Sequence, residues 1–371
     1  MARPTRARRA IALGAVLALA VPAAAQARDI YATDAGGDLL RFDSRFPGVI
    51  LDREPLTGLP AGVSLVGIDI RPATGDLVGV GSNSVVYRVD AATAAVTPIG
   101  AGFAPGLAGT SFGVDVNPVP DALRITSDAE MNYRIAFASG NHGAMSPDGA
   151  LNPGDPAIVA SAYSESTISS VRPPTTTLFG IDAATNSLVT QSPPNAGTLV
   201  NPRPLGVRVG GRTAFDIAGV LNRGYMITTP PGARGASLYG VDLATGAATE
   251  IGPIGTGSLL RSGTARLAIT GMAARQESTA PRTNIAPRVA IVATTNRPGP
   301  GQRAAYIAQA TDPDGEVTRV EWDTDGDGRY DDASGFSARV PLAAGTRTLA
   351  VRAIDETGAR TRGTLVVRVA R

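Results

Sequence analysis

The chain has 371 residues, 34 of them basic and 32 acidic, with one histidine and no cysteine. Every basic residue is arginine, which excludes lysine Schiff-base chemistry. The missing cysteines exclude disulfides and, with a single histidine, a histidine- or cysteine-ligated zinc site. The length is ample for two hydrophobic cores.

Residues 1–27 have the pattern of a secretory signal: Arg3, Arg6, Arg8 and Arg9, then an apolar run from Ile11 to Val21, then Ala25-Gln26-Ala27 as a small-x-small cleavage site. The run is shorter than the roughly 20 residues a membrane span needs. A mature, exported chain beginning at Arg28 is expected, monomeric and without a membrane span. Losing the four leader arginines takes the formal charge from +2 to about −2, which leaves no general basic character for nucleic acid.

The mature chain is organised around a repeat, seen most clearly in Leu65–Gly100 as four short strands joined by tight turns. Strand ends at Asp43, Asp90, Ala136, Asp182 and Asp242 recur at roughly 46 residues, widening to about 60 at the end. Asp69, Asp115 and Ser161 each precede their strand end by about 21 residues, and Asp216 by about 26, which is the period of a propeller blade. Two columns in the third strand agree: Leu40, Tyr87, Tyr133, Phe179 and Tyr239, and Phe42, Val89, Ile135, Ile181 and Val241. Ile30–Thr33 reads as a second strand, so the first unit lacks its innermost strand; Ala265–Gly271 is the candidate to supply it. The fold class expected is all-β: a five-bladed β-propeller over residues 28–271, with six blades as the alternative, followed by an immunoglobulin-like β-sandwich.

Met272–Pro287 has linker composition. Residues 288–371 then alternate as a seven-strand sandwich, with turn clusters DPDG, DGDG and ETG and with Trp322 in its core.

FGVDVNPVPDALRITSDAEMNYRI (Phe112–Ile135), PPNAGTL (Pro193–Leu199) and LYGVDLATGAATEIG (Leu238–Gly252) resemble a secreted bacterial family catalogued as domain of unknown function 4394. That resemblance implies a propeller-like fold and no transferable activity. ATDPDGEVTRVEWDTDGDGRYDD (Ala310–Asp332) resembles a polycystic-kidney-disease (PKD) domain, which implies an adhesive or spacer module.

Three groups of residues are candidates for chemistry. Asp323, Asp325 and Asp327 before Gly328, with Asp331 further on, match positions 1, 3, 5, 6 and 9 of a calcium loop. Ser334 replaces the bidentate glutamate, so affinity should be weak, about 0.1–1 mM. The other account of this loop is that its aspartates cap backbone N–H groups. The second group is Asp69, Asp115 and Asp216, which would converge where innermost strands line a channel, there to bind a cation or ligand or to act as acid and base. The third, Asn117, Asp121, Arg124, Asn132 and Arg134, lies with Asp115 in one block. Here turn-tying by Asp121 and Arg124, and backbone satisfaction by Asn132, compete with ligand binding. Asp90, Asp182 and Asp242, each three residues before threonine, read as Asx turns. His142 sits in a glycine-flanked loop without a nucleophile elbow.

Two functions follow as expectations. One is a secreted or cell-surface binding or scaffold protein whose partner is a cell-surface glycan or protein, with calcium the only cofactor in view. The other is an extracellular carbohydrate-active hydrolase or lyase using channel carboxylates.

Overall fold

The computed structural model describes residues 28–137, 145–219, 222–255, 267–276, 284–293, 301–312, 317–355 and 357–369. The leader, His142 and Ala265 lie outside these residues.

Strands β1 (Asp29–Asp34), β2 (Asp38–Asp43) and β3 (Ile50–Pro55) open the chain. They are followed by β4 (Leu65–Ile70), β5 (Leu77–Gly81), β6 (Val86–Val89) and β7 (Val96–Ile99). Next come β8 (Phe112–Asn117), β9 (Ala122–Ser127), β10 (Asn132–Ala136) and β11 (Met145–Pro147). The fourth group is β12 (Ile158–Tyr163), β13 (Leu178–Asp182), β14 (Ser187–Gln191) and β15 (Leu199–Pro204). The fifth is β16 (Thr213–Ala218), β17 (Arg223–Thr228), β18 (Ser237–Val241) and β19 (Ala248–Pro253), after which β20 (Ile269–Ala274) returns to the start.

These strands make five separate four-stranded antiparallel sheets, four of them from consecutive strands and one in the order β20-β1-β2-β3. The borrowed strand expected at Ala265–Gly271 is thus found beside β1, with Thr33 opposite Gly271, but it extends to Ala274. Met272 and Ala274 are buried against Ile30, Leu40 and Tyr225, so burial carries the strand three residues into the expected linker. The turns behave as expected. Asp90 Oδ1 accepts from the Ala92 and Thr93 N–H groups and Asp242 Oδ1 from Ala244 and Thr245, while Asp182 accepts from Ala184 N and Thr185 Oγ1.

One strand is assigned differently. The repeat spacing makes Leu178–Asp182 a third strand, with Phe179 and Ile181 in the third-strand columns. In the structure it is the second strand, β13, paired with β12 through Ser161 and Gly180. A long connection, 164–177, stands between β12 and β13 and happens to restore the repeat length. The third and fourth strands therefore occupy the interval between Asp182 and Asp216 that the spacing marks as an insertion.

The first strands pack side by side in the order β4, β8, β12 and β16, and β20 packs on both β16 and β4. Their approach depends on glycine. A Cβ on Gly113 would collide with the backbone N and the Oγ of Ser161 on β12, and one on Gly67 would lie 2.5 Å from a Val114 methyl group. Gly113→Ala is therefore expected to cost about 1–3 kcal/mol, read as a lower thermal midpoint by circular dichroism. Apolar clusters join the first sheet to the second, the second to the third, the fourth to the fifth and the fifth to the first.

The C-terminal strands are β21 (Arg288–Ala293), β22 (Arg303–Thr311), β23 (Val317–Asp323), β24 (Ala333–Ser334), β25 (Ser337–Pro341), β26 (Gly345–Asp355) and β27 (Arg360–Val369). They form sheets β21-β22-β25 and β24-β23-β26-β27 around one core. Trp322 is fully buried there, its indole N–H donating to Gly335 O at 2.8 Å. This core leans on the first sheet. Arg45, clamped on Asp43 at 3.0 and 2.5 Å, donates to Ala310 O at 2.9 Å and lies 3.5 Å from the Phe336 ring centre.

Candidate functional site

The strand register places Asp69 on β4, Asp115 on β8 and Asp216 on β16 in one buried group, each at most 2% exposed. One carboxylate oxygen from each lies within 4.8 Å of the others. Every one of them reaches a backbone N–H on the next first strand. Asp69 accepts from Val116 at 2.7 Å, Asp115 from Tyr163 at 3.0 Å and Asp216 from Ala274 at 2.6 Å. Asp69 and Asp216 also each accept from the following residue, Ile70 and Ile217, at 2.6 Å. The carboxylates therefore stitch β4 to β8, β8 to β12 and β16 to β20. Ala162 and Ala273 hold the corresponding places on β12 and β20, Ala162 being one residue after the Ser161 that the spacing marks.

Burial raises the pKa of all three. Asp69 and Asp115 are pushed well above the ordinary carboxylate range by desolvation, and further by the neighbouring carboxylates. Desolvation takes Asp216 to about 6. The space between the same strands, lined by Gly67, Gly113, Ser161, Phe215 and Gly271, is a cavity of about 10 Å³, room for a single water-sized particle.

The connection 164–177 lies across the turn end of these strands. Its neck is closed by Ser164 and Thr177 at 2.9 Å. Beyond the neck it reaches three other sheets: Ser169 N donates to Pro72 O at 3.0 Å, Arg172 Nη1 to Val119 O at 3.1 Å, and Glu165 N to Asn222 Oδ1 at 2.7 Å. The long loop of this protein is thus a strap over the carboxylate end, not an insertion after Asp182.

A second polar group fills the seam between the third and fourth sheets. Arg124, 1% exposed, donates to Asn132 Oδ1 at 2.7 Å, Asp148 Oδ2 at 2.6 Å, Asn195 Oδ1 at 2.9 Å and Tyr163 Oη at 3.2 Å. Arg134 clamps the same Asp148 at 2.6 and 2.9 Å. Asn132 donates to Gly149 O and Pro194 O, and Gln191 donates to Asn132 Oδ1. Asp148, Asn195, Gln191 and Tyr163 were not singled out in the sequence; the DG turn at Asp148 and the NAG turn at Asn195 are the only local marks they leave.

The rest of the expected block is dispersed. Asn117 Oδ1 accepts from Val119 N within its own turn at 2.9 Å. Asp121 does not tie to Arg124. It pairs with Arg71 of the second sheet, whose guanidinium lies 4.6 Å from the Phe137 ring centre. Opposite charge across the sheet boundary outweighs the nearer partner in sequence, which points into the seam.

In the sandwich, the group that converges is Asp323, Asp325 and Asp332, not the expected set with Asp327 and Asp331. Several of its oxygens are already used by the loop. Asp323 accepts from Gly326 N and Gly328 N, Asp325 from Asp327 N, and Asp332 from Thr324 N and Asp325 N. Those bonds hold the pKa of Asp332 below its ordinary value.

The model of the family described as domain of unknown function 4394 matches residues 38–263, more than half of the chain. The chain belongs to that family. No curated protein matches it. Among solved structures, the PKD1 domain of Vibrio anguillarum Epp is similar at 24% identity and TM-score 0.20, covering 24% of this chain and 98% of that domain. The PKD1 domain of the Vibrio cholerae metalloprotease PrtV gives 17% identity, TM-score 0.20, and coverage of 24% and 100%. The fibronectin(III)-like modules of Clostridium thermocellum CbhA give 14% identity, TM-score 0.20, and coverage of 47% and 74%.

Two stretches inside the span of the family domain contribute to the seam. Phe112–Ile135 supplies Arg124, Asn132 and Arg134, and Pro193–Leu199 supplies Asn195 and the Pro194 carbonyl. In this member of the family they act on each other. No helix among the described residues is long and apolar enough to cross a membrane.

Proposed function

We propose that the five sheets are the blades of a β-propeller closed by β20, and that the protein is an exported binding or scaffold protein. The PKD-like sandwich would be a spacer or adhesion module, leaning on the first blade through Arg45. The observation that carries this reading is the state of the three aspartates. They are sealed, bound to backbone N–H groups, and next to a cavity no larger than a water. Glycoside chemistry needs two carboxyl groups about 5–9.5 Å apart with a sugar between them. The raised pKa of Asp216 is accounted for by burial alone.

The test is a thermal-shift screen of the mature protein against glycans and candidate protein ligands, with product analysis of every hit. A ligand that raises the melting point and is recovered unchanged supports the reading; one that is cleaved overturns it. A calcium ion at Asp323, Asp325 and Asp332 is a separate proposal, supported by their convergence. Calorimetric titration should show half-saturation at about 0.1–1 mM, lost when all three become asparagine. Unchanged heat in that variant would remove the ion.

A further inference from the structure

The outer face of sheet β24-β23-β26-β27 carries four arginines, Arg319, Arg352, Arg360 and Arg362, grouped around Glu321, with a fifth, Arg368, further along β27. Alternation sets them there, because Val320, Trp322, Val351 and Ala353 fill the core from the other face. Glu321 is shared by two of the four, pairing with Arg319 Nε at 3.1 Å and accepting from Arg352 at 3.0 and 2.5 Å. Arg352 also lies 4.6 Å from the Tyr330 ring centre. Arg360 and Arg362 are exposed and have no ion-pair partner among the described residues.

The register makes this arrangement unusual. Arg362 stands directly opposite Arg352 in the β26–β27 pairing. Like charges at paired positions destabilise a sheet. Arg360 follows at about 7 Å along the same face, while Arg352 is about 5 Å across. The acidic loop lies toward the other end of the face, where Gly326 comes near Thr348 O and Asp323 pairs with Ala350. Arginines on the edge strand β27 would also discourage strand addition. That role does not reach Arg352 on β26 or Arg319 on β23.

We propose that this arginine face binds an acidic polysaccharide, the guanidinium forks taking carboxylate or sulfate groups along the polymer. Guanidinium matches both anions with two parallel N–H donors, and a cluster of forks favours a partner that repeats its charge. Nucleic acid fits less well: the one ring at the patch, Tyr330, is covered by Arg352, leaving no platform for base stacking. The inference rests on the exported binding reading above and names one class of partner for it.

The experiment measures binding of the full mature chain to heparin (sulfated), polygalacturonate (carboxylated), neutral dextran and single-stranded DNA, at about 0.05 M and about 0.3 M salt. The Arg360→Gln/Arg362→Gln variant is compared with Arg303→Gln/Arg339→Gln, an equal charge change at exposed positions of the other sheet. Salt-sensitive binding to either acidic polysaccharide is expected, weakened roughly tenfold or more in the first variant and little in the second. Heparin alone or polygalacturonate alone identifies the anion. The proposal is overturned if neither polysaccharide binds, if both variants lose equally, or if DNA binds more tightly than both. Binding of a neutral glycan that survives in Arg360→Gln/Arg362→Gln would overturn it too, while leaving the proposed function standing.

Discussion

Replacing Arg124 by methionine is expected to destabilise the protein by about 3–5 kcal/mol in denaturant unfolding, the largest effect of any single change at a polar residue here. The side chain is 1% exposed and its donors serve four different residues. Without it, Asp148, whose side chain is 6% exposed, keeps only the clamp from Arg134, which is itself 40% exposed. Asn132 Oδ1 keeps the Gln191 donor and Asn195 is exposed, so the cost falls chiefly on the buried Asp148 carboxylate. Changing Arg124 and Asp148 together to methionine and leucine should cost less than changing Arg124 alone, since no charge is then stranded. A single-variant cost below about 1 kcal/mol would mean that the seam is held by its backbone contacts instead.

The second large effect is in pH. Asp69, Asp115 and Asp216 have pKa values raised in the folded protein, chiefly by burial. The folded state therefore keeps protons that the unfolded chain releases above about pH 4. Their contribution is complete below that pH and is lost as pH rises, through about 6 for Asp216 and through the raised range of the other two. Groups held low by hydrogen bonds, such as Asp90, Asp242 and Asp332, act in the opposite sense, losing stability only as pH falls below the carboxylate range.

Asp115→Asn separates charge from bonding. Asp115 accepts one backbone N–H, which an amide oxygen can still accept, and the change removes one of three crowded charges. It is expected to stabilise the protein by on the order of 1–2 kcal/mol at pH 7.5 and to flatten the decline between pH 5 and 8. Asp69 and Asp216 each accept two N–H groups, so an asparagine there sets its NH₂ against one of them and should destabilise by about 1–3 kcal/mol. Stability that rises steadily from pH 5 to 8 in the wild type would contradict this.

The sheets were legible in the sequence because strand periodicity is local and repeats. Five sets of four strands, the return of the chain to Ile30, and the meeting of Asp69, Asp115 and Asp216 all follow from one spacing. What misled was a coincidence of length. The connection 164–177 replaces a tight turn and leaves the period intact, so Phe179 and Ile181 were counted one strand too late. The partners of Arg124 and Asp121 were hidden for a different reason. Asp148 and Asn195 reach Arg124 from turns of the third and fourth sheets, and Arg71 reaches Asp121 from the second. Such pairings are set by how sheets pack, which no spacing along the chain records. At the acidic loop the backbone chose Asp332 over Asp327 and Asp331 because it can accept from both Thr324 and Asp325.

The claim on which the rest depends is that the buried aspartates fasten one first strand to the next. Hydrogen exchange at the amides of Val116, Tyr163 and Ala274 tests it directly, since these are the N–H groups the carboxylates hold. Exchange only through global unfolding, with protection matching the full stability of the domain, is the result expected. Rapid exchange at these three amides while the neighbouring strand amides stay protected would contradict it, and would make the aspartates free groups facing an opening.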